Sequence, residues 1–230
     1  MNSPVSLIAG GTGLVGSHVI KVLSKKPGSQ IILARSFNSE IPQNADLQII
    51  NFDSLGLNKV QLKNGIDNVY LCLGKRLSTH ELGYMQHSAR ESFKLIDFEY
   101  SLSIAKLSYD SGARSIALVS AVGAQEGSFN YYFHIKGKLE NEIKKIGYEN
   151  ICFARPGHLL GARKDFRGYE IPVLESGLRI AAPFMQGPLK NFRQIEARQV
   201  AEKMVMNLLN KQERESYLYY EDFLKTETFE

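Results

Sequence analysis

A parallel β-sheet covered by helices on both faces is the α/β architecture this sequence predicts, and three observations predict it. Short apolar runs alternate along the chain with segments of helical period. Several of these runs are apolar at consecutive positions, as strands buried on both faces are. The first run enters a glycine-rich turn and then an amphipathic segment, the opening of a strand–helix–strand unit.

The elements follow in order. Pro4 to Ala9 reads as the first strand, and Leu14 to Ser24 as a helix with Leu14, Val15, Val19, Val22 and Leu23 at helical spacing. "SQIILAR", "LQIINFD" and "DNVYLCLG" read as the second, third and fourth strands. A long helix from about Ala89 to Asp110 ends at Gly112, a suitable C-cap. "ARSIALVSA" is a fifth strand, Tyr131 to Lys145 a helix that ends near Gly147, and "NICFARPG" a sixth strand stopped by Pro156 and Gly157. Residues 159–193 are irregular and rich in Gly, Pro and Arg; a last helix, Glu196 to Asn210, precedes a polar tail. That order is the doubly wound, Rossmann-like plan, with residues 1–230 forming one domain and 159–193 its substrate side.

Composition bounds the function. At 230 residues the chain can bury a sizeable core, and 43% hydrophobic with 23% charged residues is ordinary for a soluble protein. A net charge of +4 suits a phosphorylated cofactor but is too weak to argue for nucleic acid. No apolar run reaches the length needed to span a bilayer, and the first residues lack a signal-peptide pattern. Cys72 and Cys152 lie in apolar runs and read as buried free thiols. The expectation is a cytoplasmic protein with no membrane or nucleic-acid partner.

The turn "GGTGLVG" carries Gly10, Gly13 and Gly16. Gly10 permits a tight turn out of the strand, Gly13 lets a pyrophosphate approach the backbone, and Gly16 lets the helix pack close. With Thr12, Leu14 and Val15 they form a phosphate-binding turn at a helix start; a bare structural turn is the alternative. At the end of the second strand an NAD-binding chain often carries an acid for the ribose 2′-hydroxyl. Here "LARSFN" offers Arg35, which can grip a 2′-phosphate, so NADP is favoured over NAD. A solvated arginine is the plainer reading. Asp53, after the third strand, either accepts from the adenine amine or caps the segment starting at Ser54.

Tyr132 and Lys136 stand four residues apart, on one helical face. A tyrosine is a poor acid or base at neutral pH, and an ammonium one turn away favours its phenolate. An ordinary core aromatic beside a solvated lysine has the same spacing. The pair gains weight from following a strand that ends in Ser120. The histidines show no ligand spacing, so no metal site is expected. His158 follows "RPG" and is a weak substrate-contact candidate; Arg163, Arg167 and Arg179 line either an anionic pocket or a basic surface.

With these pieces the chain resembles the short-chain dehydrogenase/reductase superfamily, in its atypical branch related to the mammalian Tat-interacting tumour-suppressor protein and to bacterial oxidoreductase-like proteins. The matching stretches include "GGTGLVGSHV", "LCLG", "VSAVGA", "YFHIKGKLE" and "RPGHLLGARKDFRGYE", from Leu7 to about Leu208. The resemblance implies NADP(H) bound along Gly10, Gly13, Gly16 and Arg35, with Leu73 and Gly74 of "LCLG" beside it. It implies catalysis by Tyr132 and Lys136, with Arg155, Pro156 and Gly157 closing the sixth strand near the nicotinamide. Asp97 and Tyr100 match positions on the branch's long helix; packing and capping are the roles read for them. One departure stands out: Ala121 occupies the position of the usual catalytic serine, so Ser120 or Ser128 must supply the oxygen donor. The expected function is hydride transfer between a nicotinamide and a small carbonyl or alcohol, in a monomer or homodimer. The alternative is an NADP(H)-sensing regulatory protein that binds a protein partner. A nucleotide-sugar epimerase or dehydratase is disfavoured by the short C-terminal region.

Overall fold

The structure is a computed structural model, and it describes residues 3–34, 45–49, 65–75, 77–161, 185–210 and 213–225. Strands β1 (Val5–Ala9), β2 (Ser29–Ala34), β3 (Asp46–Ile49), β4 (Asn68–Leu71), β5 (Ser115–Val119), β6 (Asn150–Ala154) and β9 (Glu215–Leu218) form one sheet in the order β3-β2-β1-β4-β5-β6-β9. Every neighbouring pair is parallel, with Ala9 opposite both Leu33 and Leu71. The order reverses between β1 and β4, which opens the crevice where ligands of such sheets bind. A short parallel pair, β7 (Leu159–Leu160) with β8 (Ile195–Glu196), stands apart.

Alternation along each strand explains the two faces. On β1, Leu7 and Ala9 join a core with Ile104, Ala105, Leu139 and Ile143, while Ile8 turns to the other core with Val19, Val200 and Met204. The first core lies under α4 (Ser101–Asp110) and α5 (Tyr131–Ile146), the second under α1 (Leu14–Leu23) and α6 (Ala197–Asn210). Two buried faces account for the consecutive apolar residues. Cys152 is buried and Cys72, one residue past β4, is half-buried; both are free thiols.

The structure departs from the sequence reading in three places. A short α2 (Thr79–Gly83) carries a capping box between Ser78 and Glu81. The long helix runs as α3 (His87–Lys94), a π-helical segment Leu95–Tyr100, and α4. The polar tail supplies β9 and then α7 (Tyr220–Leu224). β9 was hidden because it is short, sits at the sheet edge and opens on Glu215 and Ser216, the polar composition that edge strands carry.

Candidate functional site

The glycine turn lies at the carboxyl end of β1. Gly10 has φ +83°, and a Cβ there would stand 2.6 Å from the Cys72 carbonyl oxygen. At Gly16 a Cβ would fall 2.2 Å from the Gly10 carbonyl oxygen, so this glycine lets α1 close on the turn itself, more than on the sheet. Gly13 is different. Its φ of −79° suits any residue, and a Cβ would meet only the Gly10 and Cys72 carbonyl oxygens, at 3.1 and 3.7 Å. Gly13 N-caps α1, which has no side-chain cap and no acid in its first turn. Free N–H groups beside an open glycine fit a pyrophosphate. Thr12 is exposed on this turn, Leu14 half-buried and Val15 buried.

Across the crevice, Lys136 projects from α5 with its side chain 5% exposed. Its Nζ lies 2.9 Å from Asp97 Oδ1 and donates to the Val119 carbonyl at the end of β5 at 3.3 Å. Asp97, 2% exposed, accepts through Oδ2 from the Lys75 backbone N–H at 2.7 Å. Gly74, at the end of "LCLG", packs so that a Cβ would stand 3.6 Å from Asp97 Oδ1; Leu73 is half-buried. A continuous path therefore runs from Gly10 through Cys72–Lys75 to Asp97, Lys136 and Val119. The expected packing-and-capping role of Asp97 is replaced by a buried ion pair.

Tyr132 is half-buried one turn before Lys136, its ring 5.6 Å from Phe93 and 5.2 Å from Phe133. Asn130 caps this helix, accepting from the Tyr132 N–H at 2.9 Å and donating to the Leu82 carbonyl at 2.8 Å. Burial raises the Tyr132 phenol above its ordinary value; Lys136 opposes this and Asp97 adds to it. For Lys136 burial works against the ammonium, but Asp97, Tyr132 and Glu140 together outweigh it, so the side chain stays a cation.

The remaining expected residues have partners of their own. The Ser120 hydroxyl donates to Glu140 Oε1 at 2.5 Å and is buried. Glu140 also receives Arg155, through Nε at 3.0 Å and through Nη2, and Arg155 Nη1 donates to the Tyr219 hydroxyl at 2.9 Å. Ala121 is buried, and Ser128 accepts from the Asn130 N–H. The Pro156 carbonyl accepts from the Val122 N–H, and a Cβ on Gly157 would strike the Phe192 and Arg193 backbone. Arg35, Asp53, Arg163, Arg167 and Arg179 lie outside the described residues. Among the described residues no three His, Cys, Asp or Glu side chains gather to hold a metal, and no helix is long and apolar enough to cross a membrane. Sequence reasoning missed Glu140, although its place one turn beyond Lys136 on the same face was a usable signal.

The description of the NAD dependent epimerase/dehydratase family matches residues 6–171, well over half of the chain. The chain belongs to that family. Among relatives of this epimerase/dehydratase chain, the "Protein FMP52, mitochondrial" of Candida albicans is 29% identical over 190 residues, covering 80% of each chain. Rat "Protein HTATIP2" is 24% identical over 172 residues, covering 73% of this chain and 67% of that one. A solved UDP-glucose 4-epimerase superposes with a TM-score of 0.67 at 15% identity, covering 94% of this chain and 76% of that one. At that identity the likeness establishes the fold alone. The resemblance to the short-chain dehydrogenase/reductase superfamily and the Rossmann-like plan hold. The cytoplasmic expectation is corrected: the FMP52 relatives of Candida albicans, Debaryomyces hansenii and Kluyveromyces lactis are all named mitochondrial. Free cysteines argue against a secretory route and do not separate the cytoplasm from a mitochondrion.

Proposed function

We propose that this family member is an NADP(H)-dependent reductase of short-chain type, acting on a small carbonyl. The observation that carries the reading is Lys136, held as a cation by Asp97 at 2.9 Å and one turn from Tyr132, across the crevice from the open Gly13. When bound, the nicotinamide supplies or accepts a hydride at the substrate carbon. Gly10, Gly13 and Gly16 with Thr12, Leu14 and Val15 receive the pyrophosphate at the start of α1. Arg35 binds the 2′-phosphate, Asp53 the adenine side, and Leu73, Gly74, Arg155, Pro156 and Gly157 border the nicotinamide half. Residues 1–230 act as one domain in this proposal, with 159–193 on the substrate side.

The protonation state of Tyr132 sets the favoured direction. Its pKa is raised, so the phenol is protonated at neutral pH and gives its proton to a carbonyl oxygen as reduction proceeds. Oxidation needs the phenolate, so its rate rises on the alkaline side while reduction falls there. Lys136 steadies the developing phenolate. The Ser120 hydroxyl donates its hydrogen bond to Glu140, so carbonyl polarisation rests on Tyr132.

The same commitment of Ser120, with Ala121 beside it, favours a second reading: a cofactor-sensing protein that binds a partner and turns over slowly or not at all. NADPH oxidation across a panel of carbonyls separates the two. The reductase reading expects turnover in the parent protein, loss of it in Tyr132→Phe with NADPH affinity within about twofold, and a shift toward NADH in Arg35→Glu. No turnover with intact NADPH binding favours the sensor. A parent protein that prefers NADH overturns the NADP assignment.

A further inference from the structure

We propose that Phe129 and Tyr84 form an apolar rim at the mouth of the crevice that receives the tail of the substrate, so that the carbonyl compound carries a long alkyl or aromatic group. The inference rests on the reductase reading above and names its substrate class.

Both residues stand at the carboxyl edge of the sheet, where the crevice opens. Phe129 lies in the loop between β5 and α5, three residues before Tyr132, and Tyr84 directly follows α2. They are the two most exposed large apolar side chains among the described residues: Phe129 stands fully in solvent and Tyr84 is 73% exposed. One side chain fastens their two segments together. Asn130 accepts from the Tyr132 and Phe133 N–H groups at 2.9 and 3.3 Å, and its Nδ2 donates to the Leu82 carbonyl at 2.8 Å. Its own N–H donates to the Ser128 hydroxyl at 3.2 Å, which fixes the backbone on either side of Phe129. The cap that starts the Tyr132 helix therefore also holds the two exposed aromatic residues on adjoining loops.

The chemistry around them is apolar. Met85, Phe93 and Ile135 form a small core of their own, with Leu77, Tyr131 and Tyr132 packed against it. Met85 is the neighbour of Tyr84 in the chain, and the Phe93 ring lies 5.6 Å from Tyr132, so apolar side chains lead from the proton donor to the rim. The charges nearby are committed to one another: Lys136 to Asp97, and Arg155 to Glu140. Arg90 is spent on the Met85 carbonyl at 2.9 Å and on the face of Tyr131. A charged tail finds no counter-ion among these groups, whereas an apolar tail covers aromatic surface that otherwise faces water.

Octanal and propanal share a reacting group and differ only in the tail; octanamide and propanamide are matched ligands that a nicotinamide does not reduce. The amides are titrated into the NADPH complex of the parent, Phe129→Ser, Tyr84→Ser and Leu224→Ser, and NADPH oxidation is followed with the two aldehydes. Leu224 is exposed on α7, outside the rim, so its variant controls for lost surface hydrophobicity. The parent is expected to bind octanamide about thirtyfold more tightly than propanamide, and each rim substitution to cut that advantage roughly five- to tenfold, with Leu224→Ser keeping it. The ratio of kcat/KM for octanal over propanal should follow the same pattern. An advantage that survives both rim substitutions overturns the assignment of Phe129 and Tyr84. Aldehyde turnover with no preference for the longer tail overturns the inference while the reductase reading stands. Rim-dependent binding of octanamide without turnover of either aldehyde supports the rim and overturns the reductase reading. Neither binding nor turnover overturns both.

Discussion

Single residues in the glycine turn do different jobs. Gly10 needs its positive φ and Gly16 its missing Cβ, because backbone of the same turn fills the space a side chain would take. Both would be required with no ligand at all. Gly13 has neither constraint to the same degree: a Cβ there would press on the Gly10 carbonyl oxygen at 3.1 Å, and in the proposed function the further reason for glycine is the pyrophosphate that approaches from outside. Gly16→Ala accordingly loses stability by about 1–3 kcal/mol, an overpacking cost, and lowers the thermal midpoint before any cofactor is added. A midpoint unchanged from the parent would show that α1 can shift to accept the methyl. The sequence spacing marked all three glycines as one motif. It could not separate them, because the neighbours that decide each case, Cys72 above all, come from β4.

At the scale of elements, the end of β6 is joined to α5 and to the segment entering α7. Buried Glu140 and half-buried Arg155 form an ion pair to which Ser120 and Tyr219 add hydrogen bonds. Removing one partner of such a pair leaves the other charge buried and costs about 3–5 kcal/mol. Arg155→Ala should therefore lower the thermal midpoint by roughly 6–20 °C, at about 2–4 °C per kcal/mol for a chain of this size. Because the proposed function sets Arg155 at the border of the nicotinamide half, NADPH protection of what folds should weaken as well. A shift of a degree or less would mean that the pair is open to water and contributes little. The family resemblance implies a place for Arg155 beside the nicotinamide; its guanidinium partners, Glu140 and Tyr219, come from segments fifteen and more residues away. The π-helical segment was equally hidden, since the three-and-four spacing of apolar residues runs through it without a break, and with it the inward role of Asp97.

For the whole molecule, β1 to β6 with α1, the α3–α4 stretch and α5 were legible, because a sheet buried on both faces writes apolar runs that a helix-spaced segment interrupts. β9 was not legible: its stabilising contacts are the register with β6 and the Ser216 and Tyr219 bonds, none of which has a local pattern. The buried sheet also sets a pH limit. Burial pushes the Cys152 thiol up to about 12 from an ordinary 9.0, and Tyr70 and Tyr148 are raised as well. The folded state then holds protons that the unfolded chain releases between those values, so stability is fully present below about pH 9 and falls as pH rises toward about 12. Denaturant midpoints that are flat from about pH 7 to 8.5 and decline above it are expected; a midpoint that rises on the alkaline side would contradict the sign. The most direct test of a nicotinamide dinucleotide in this crevice is calorimetric titration of NADPH into the parent protein and into Gly13→Val. The parent should bind, and the variant should keep its circular dichroism and lose binding by at least about a hundredfold, because the branched side chain occupies the pyrophosphate approach. Unchanged NADPH binding by a folded Gly13→Val protein would contradict the assignment.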